Sequence, residues 1–90
     1  MDKSYLYFYQ KICSSQLPAS AVNVYKALLQ YANRTTWCCF PSVNTIAHDT
    51  KLSTRTVRRQ LIILENAGYI LRIPRQRENN GHTSNMYFLN

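Results

Sequence analysis

Residues 41–68 read PSVNTIAHDTKLSTRTVRRQLIILENAG, which indicates two helices joined by a short polar break. The apolar positions recur at three-to-four spacing in both helices, at Val43, Ile46 and Ala47 in the first and at Val57, Leu61 and Leu64 in the second. Ser42 is a suitable N-cap for the first helix, and Ser53 or Thr54 for the second. Residues 51–53 leave room only for a turn, and Gly68 predicts a left-handed end to the second helix.

The sequence after Gly68 predicts a β-hairpin. Residues 69–73 and 84–89 are rich in strand-forming side chains, and they flank a polar segment, 74–83, that contains the turn signal Asn80-Gly81.

Upstream of residue 41, the sequence predicts a helix and a short strand. The helix follows Leu17-Pro18 with Ser20 as its expected N-cap, and residues 33–36 end it. Its apolar face comprises Val22, Tyr25, Leu28, Leu29 and Ala32. Residues 37–40 predict a strand that Pro41 closes.

This order of elements predicts a mainly α fold with a small β-hairpin (α+β). The predicted architecture is a winged helix-turn-helix, with a three-helix core and a wing of two or three strands. We expect residues 17–90 to form this domain and residues 1–16 to be an aromatic-rich lead-in segment, strand-like with a short helical turn after it.

Charge and composition narrow the function. The chain has 90 residues, a net charge of +7 and a pI of about 9.7, which favours a polyanionic partner. No run approaches the ~20 apolar residues that span a bilayer, and no secretory signal is visible. Three cysteines, two of them adjacent, match neither a zinc motif nor a disulfide framework. We therefore expect a cytoplasmic protein with reduced thiols and no metal or cofactor.

Catalysis is the least favoured class. The chain has four scattered carboxylates, and its sequence shows neither a glycine-rich phosphate loop nor a nucleophile with a partner base. We therefore predict no catalytic residues and no small-molecule substrate.

The predicted helix 54–67 carries the strongest functional signal. On a helical wheel with Val57 toward the core, Arg55 and Arg59 lie on the opposite side, with Thr56 and Arg58 at its flanks. A major groove admits a helix of this kind, and arginine can pair with both acceptors of a guanine edge. Residues 51–77 hold seven basic residues and one acidic residue, so the charges are segregated by sign.

The segment 74–83 would be the basic wing, on the DNA backbone or in the minor groove. For Asn80 and His82 the alternative is an ordinary polar turn without DNA contact. For the hydroxyls of Ser53 and Thr54 the alternative is a purely structural helix cap. The residues expected to contact DNA are Ser53, Thr54, Arg55, Thr56, Arg58, Arg59, Arg75, Arg77, Asn80 and His82.

The motifs of this chain resemble the winged helix-turn-helix domains of bacterial plasmid and phage replication proteins and related transcriptional regulators. They are Phe40-Pro41-Ser42-x-x-Thr45-Ile46-Ala47, Leu52-Ser53-x-Arg55-Thr56-Val57-x-Arg59, Leu64-Glu65-x-x-Gly68-Tyr69-Ile70 and Thr83-Ser84-Asn85-x-Tyr87-x-Leu89. The resemblance implies double-stranded DNA binding, in transcription regulation or DNA replication. It also implies that Asn85 and Tyr87 hold the hairpin.

Two features depart from that pattern, since isoleucine occupies positions 62 and 63 and the N-terminus is unusually aromatic. Ile62 predicts either a thymine-methyl contact or a protein interface, and the aromatic residues predict either core packing or a homodimer interface. The interface candidates are Tyr5, Tyr7, Phe8, Tyr9, Ile62 and Ile63. The alternative function is therefore a protein-interaction winged helix in a replication or mobile-element assembly, without base readout.

Overall fold

The computed structural model describes residues 4–73 and 85–90. The elements are α1 (Tyr5–Cys13), α2 (Ala19–Tyr31), β1 (Cys38–Cys39), α3 (Val43–Thr50), α4 (Thr54–Asn66), β2 (Ile70–Ile73) and β3 (Met86–Leu89). The three strands form an antiparallel sheet in the order β1-β3-β2. The predicted α+β class is confirmed, and the arrangement is consistent with a winged helix-turn-helix.

Local hydrogen bonds set the boundaries of α3 and α4. The hydroxyls of Ser42 and Ser53 each accept a hydrogen bond from the backbone N–H three residues on, at 3.1 Å. The chain leaves α3 at Lys51, whose φ of 61° lies in the left-handed region, and the N–H of Leu52 donates to the carbonyl of Ala47 at 3.2 Å. These contacts confirm both predicted caps and the three-residue turn.

One apolar core joins the helices to the sheet. The predicted stripe of Val57, Leu61 and Leu64 is buried, and so are Ile46 and Ala47 on α3. Helix α4 packs against α2 and α3, and Gly68, at a φ of 83°, ends it and directs the chain into β2. The buried stripe fixes the rotation of α4 about its axis and so decides which side chains face solvent.

The predicted strand-like lead-in is wrong, because residues 5–13 form α1. Ser4 caps this helix by accepting the N–H of Tyr7, and Phe8 and Ile12, one turn apart, are completely buried. The aromatic run has strand propensity, but a helix sets Phe8 and Ile12 about 6 Å apart along its axis, whereas a strand would set them about 13 Å apart. Burial therefore outweighs local preference here.

Two further boundaries differ from prediction. Helix α2 has Pro18 rather than Ser20 at its N-cap, since the carbonyl of Pro18 already accepts the N–H of Val22 at 3.1 Å. Strand β1 covers only residues 38–39 because Trp37 has a φ of 57°, which is incompatible with an extended strand.

Tyr25 offers a test of the polar cost inside this core. The side chain is completely buried, and its hydroxyl has no hydrogen-bond partner among the described residues, so burial raises its pKa above the ordinary 10.0. We expect Tyr25→Phe to leave the free energy of unfolding unchanged or raise it by up to about 2 kcal/mol, because it removes an unsatisfied group. Urea unfolding monitored by circular dichroism measures the change.

The same substitution should flatten the alkaline limb of the stability profile. Because the pKa of Tyr25 is higher in the folded state than in the unfolded state, its titration adds to the free energy of unfolding. That contribution is fully present below pH 10.0 and is lost as the pH rises beyond that value. A clear loss of stability in Tyr25→Phe at pH 7 would show that the hydroxyl has a favourable interaction in the folded protein.

Candidate nucleic-acid interface

The exposed side of α4 is formed by arginines. Arg55, Arg58 and Arg59 are all exposed, and Ile62 continues the same side one turn further, with 49% of its surface accessible. Arg55 and Arg59 are four residues apart, so their Cα atoms lie about 6 Å apart along the helix axis. The predicted orientation of α4 is therefore confirmed.

No described acidic group neutralises this face. Glu65, the acidic residue of α4, pairs instead with Arg72 on β2 at 3.5 Å. Among residues 4–73 and 85–90, neither Arg55, Arg58, Arg59 nor the exposed Lys51 has an ion-pair partner. The four cations thus extend from the turn along the first two turns of α4, and we call Lys51, Arg55, Arg58 and Arg59 the cationic face.

Lys51 belongs to this face but is not among the residues predicted to contact DNA. From the sequence, Lys51 is predicted only to lie in the turn and to add to the positive charge of residues 51–77. Its position between two capped helices, directly before Ser53, was the signal that could have identified it.

The hydroxyls of Ser53 and Thr56, at the start of α4, are hydrogen-bonded to each other. The hydroxyl of Ser53 donates to that of Thr56 at 2.9 Å and also accepts the N–H of Thr56 at 3.1 Å. Ser53 is exposed, whereas Thr54 and Thr56 are half-buried. Ser53 and Thr56 therefore stabilise the N-terminal end of α4, and the DNA contacts predicted for Ser53, Thr54 and Thr56 stay predictions.

Part of the predicted site cannot be placed. Arg75, Arg77, Asn80 and His82 lie outside the described residues, together with the Asn80-Gly81 turn. At the end of the hairpin that is described, the side-chain amide of Asn85 lies 3.5 Å from the hydroxyl of Tyr87, which is buried.

The predicted interface residues do not form one surface. Phe8 is completely buried against Trp37, with ring centroids 4.6 Å apart, so its assignment to an interface is wrong. Tyr5 stacks on Tyr9 with the ring centroids 6.1 Å apart, and Ile63 packs against the core. Tyr5 and Ile63 are each half-buried. Tyr7, Tyr9 and Ile62 are exposed, but the first two lie on α1 and the last on α4.

The three cysteines do not belong to a group of metal-binding side chains among the described residues. Cys13, Cys38 and Cys39 are free thiols, and burial raises the pKa of Cys39 to about 12. Across residues 4–73 and 85–90, His, Cys, Asp and Glu side chains do not assemble into a group that could hold a metal ion. Over the same residues, every helix is too short or too polar to span a bilayer.

A tight turn joins α3 to α4, a small antiparallel sheet packs beside them, and the arginines of α4 are exposed without an ion-pair partner in the described part of the chain. These features define a helix-turn-helix protein. Comparison with known families matches residues 15–70 to the helix-turn-helix domain family, and the chain belongs to that family. Membership points to DNA as the partner and is typical of proteins without enzymatic activity. Comparisons with curated proteins and with solved structures find no match.

Proposed function

We propose that this chain is a sequence-reading, double-stranded DNA-binding protein that inserts the first half of α4 into the major groove. The observation that carries the proposal is the cationic face, in which Arg55 and Arg59 lie opposite the buried stripe of α4 and whose cations have no ion-pair partner within the described residues. Arg55 and Arg59 would approach the base edges, where arginine pairs with guanine. Arg58 and Lys51, at the flank and the turn, would contact phosphates.

Segment 74–83 is proposed as the wing on sequence alone. Arg75 and Arg77 add two cations to the chain between β2 and β3, and Asn80 and His82 add donors. Such a loop could follow the adjacent backbone or enter the minor groove. The biological role that we propose is transcription regulation or the origin-binding step of replication, in the cytoplasm.

Salt dependence tests the electrostatic part of the proposal. If the protein neutralises about five phosphates, the logarithm of the association constant should fall with the logarithm of the salt concentration at a slope near −4.5. Fluorescence anisotropy with a labelled duplex, titrated at several salt concentrations, measures the slope. An absence of duplex binding at low salt would overturn the proposed function.

Selection of duplexes from a random pool tests whether bases are read. The proposed insertion of α4 predicts enrichment of a short consensus that contains guanine. A retained pool without any consensus would mean that the chain binds the backbone only.

A second candidate is a protein-interaction winged helix within a larger replication or mobile-element assembly. It is favoured by exposed apolar side chains, among them Ile62 at 49% and Leu6 at 59% accessible. This candidate predicts association that is indifferent to DNA, and sedimentation with and without duplex distinguishes the two.

A further inference from the structure

Ile62 is an apolar side chain on the side of α4 that we propose faces DNA. At 100° per residue it lies about 20° from Arg55 and about 60° from Arg59 around the helix axis. Along the axis it lies about 4.5 Å beyond Arg59. Its side chain is 49% accessible, whereas the next residue, Ile63, packs against the core. Ile62 therefore continues the exposed side that begins with Arg55 and Arg59.

The stability of the fold does not account for isoleucine at this position. Ile62 is not part of the core, so it contributes little to the burial that holds α4 in place. A β-branched residue is also a weaker helix former than alanine, leucine, lysine or arginine. Arg58 and Arg59, at neighbouring exposed positions of the same helix, have long polar side chains instead.

The neighbours of Ile62 do not form a protein-binding patch with it. Arg58, Arg59 and Asn66 lie within one turn of it on the exposed side of α4, and all three are exposed. Exposed surfaces that bind proteins are contiguous apolar patches. Ile62 is instead a single apolar side chain bordered by two arginines without an ion-pair partner in the described part of the chain.

The major groove offers one apolar group to such a side chain, the C5 methyl of thymine. The other atoms that distinguish the base pairs in this groove are hydrogen-bond donors and acceptors, which isoleucine would cover without pairing. A β-branched side chain has a stiff χ1 and loses little rotamer freedom when it makes an apolar contact. Thymine is therefore the base that an isoleucine at this position matches.

We infer that Ile62 is a specificity-determining residue that selects thymine through its C5 methyl group in the major groove. The inference deepens the proposed function and rests on it, because it requires α4 to lie in that groove. Successive base pairs are about 3.4 Å apart, and Ile62 lies about 4.5 Å beyond Arg59 along the helix. The thymine should therefore lie within about two base pairs of the guanine that Arg59 contacts.

Removal of a single methyl group from the DNA tests this contact. The probe is the duplex that wild-type protein selects from a random pool, with its thymines replaced one at a time by deoxyuridine. This replacement removes the C5 methyl and keeps the hydrogen-bonding edge of the base. At one thymine near the guanine, the Kd of the wild-type protein measured by fluorescence anisotropy should rise about threefold to tenfold, because one buried methyl contact is lost.

Ile62→Ser should abolish this difference, so that the thymine and deoxyuridine duplexes bind alike. Leu6→Ser is the matched control, because Leu6 is 59% accessible but lies on α1, and it should keep the wild-type preference for thymine. Circular dichroism confirms that both variants are folded. The ratio of the two Kd values is compared within each variant, so a general loss of affinity does not affect it.

Equal binding of wild-type protein to the thymine and deoxyuridine duplexes at every position would overturn the inference. A preference for thymine that persists in Ile62→Ser would also overturn it, because another residue would then contact the methyl group. In both cases the proposed function stands if selection yields a consensus whose recognition depends on Arg55 and Arg59. Failure to bind any duplex would overturn the proposed function together with the inference.

Discussion

Replacing Arg55 and Arg59 together with alanine should raise the Kd for duplex DNA by between about thirtyfold and about twenty-thousandfold. Each arginine that pairs with a base edge contributes about 1–3 kcal/mol, and both lie on the exposed side of α4 without an ion-pair partner in the described part of the chain. The remaining binding should be less selective, because the lost contacts are the ones that we propose to read bases. Anisotropy titrations against a selected and a scrambled duplex measure both effects.

The matched control is Lys26→Ala combined with Arg34→Ala, which removes the same two charges from another surface. Lys26 lies over the ring of Tyr9 at 4.9 Å and Arg34 over that of Tyr5 at 4.6 Å, so both belong to the α1–α2 side. If net charge alone governed binding, the two double variants would lose affinity equally. An equal loss would contradict the assignment of base contacts to α4.

Replacing Phe8 with alanine should lower the free energy of unfolding by about 3–5 kcal/mol. Its side chain has no accessible surface and packs against Trp37, so truncation removes apolar contacts and leaves a cavity where α1 meets the core. A loss of this size is a large fraction of the stability of a typical small domain. Urea unfolding monitored by circular dichroism measures it.

Leu6→Ala provides the control on the same helix. Leu6 is two positions away and 59% accessible, so its truncation should change stability by no more than about 0.5 kcal/mol. If Phe8→Ala cost as little as Leu6→Ala, α1 would not contribute to the folded core.

The helix-turn-helix could be predicted because its signals are local. Ser42 and Ser53 cap helices within three residues of their own positions, and Gly68 ends one through its own backbone conformation. The stripe from Val57 to Leu64 then fixes which side of α4 is buried. Once that side is known, the exposure of Arg55 and Arg59 follows from the helical period alone.

The predictions that were wrong concern segments in which long-range packing competes with local conformational preference. The aromatic run of α1 has strand propensity, and only the core position of Phe8 and Ile12 makes the helix the better arrangement. Trp37 adopts a left-handed φ that shortens β1, which no propensity scale indicates for a bulky aromatic residue. The pairing of Glu65 with Arg72 joins α4 to β2 and depends on how the sheet lies against that helix.

The sequence by itself determined the paired helices, their caps and the orientation of the arginines, because each depends on neighbours within about two helical turns. The tertiary structure alone decided that α1 belongs to the core and that β2 is an edge. Strand order and the burial of a distant helix depend on contacts between residues far apart in the chain, and those contacts leave no periodic signal in either segment. For that reason the exposed arginines could be predicted from residues 55–59, while the place of β2 at the edge of the sheet became visible only once β3 lay between it and β1.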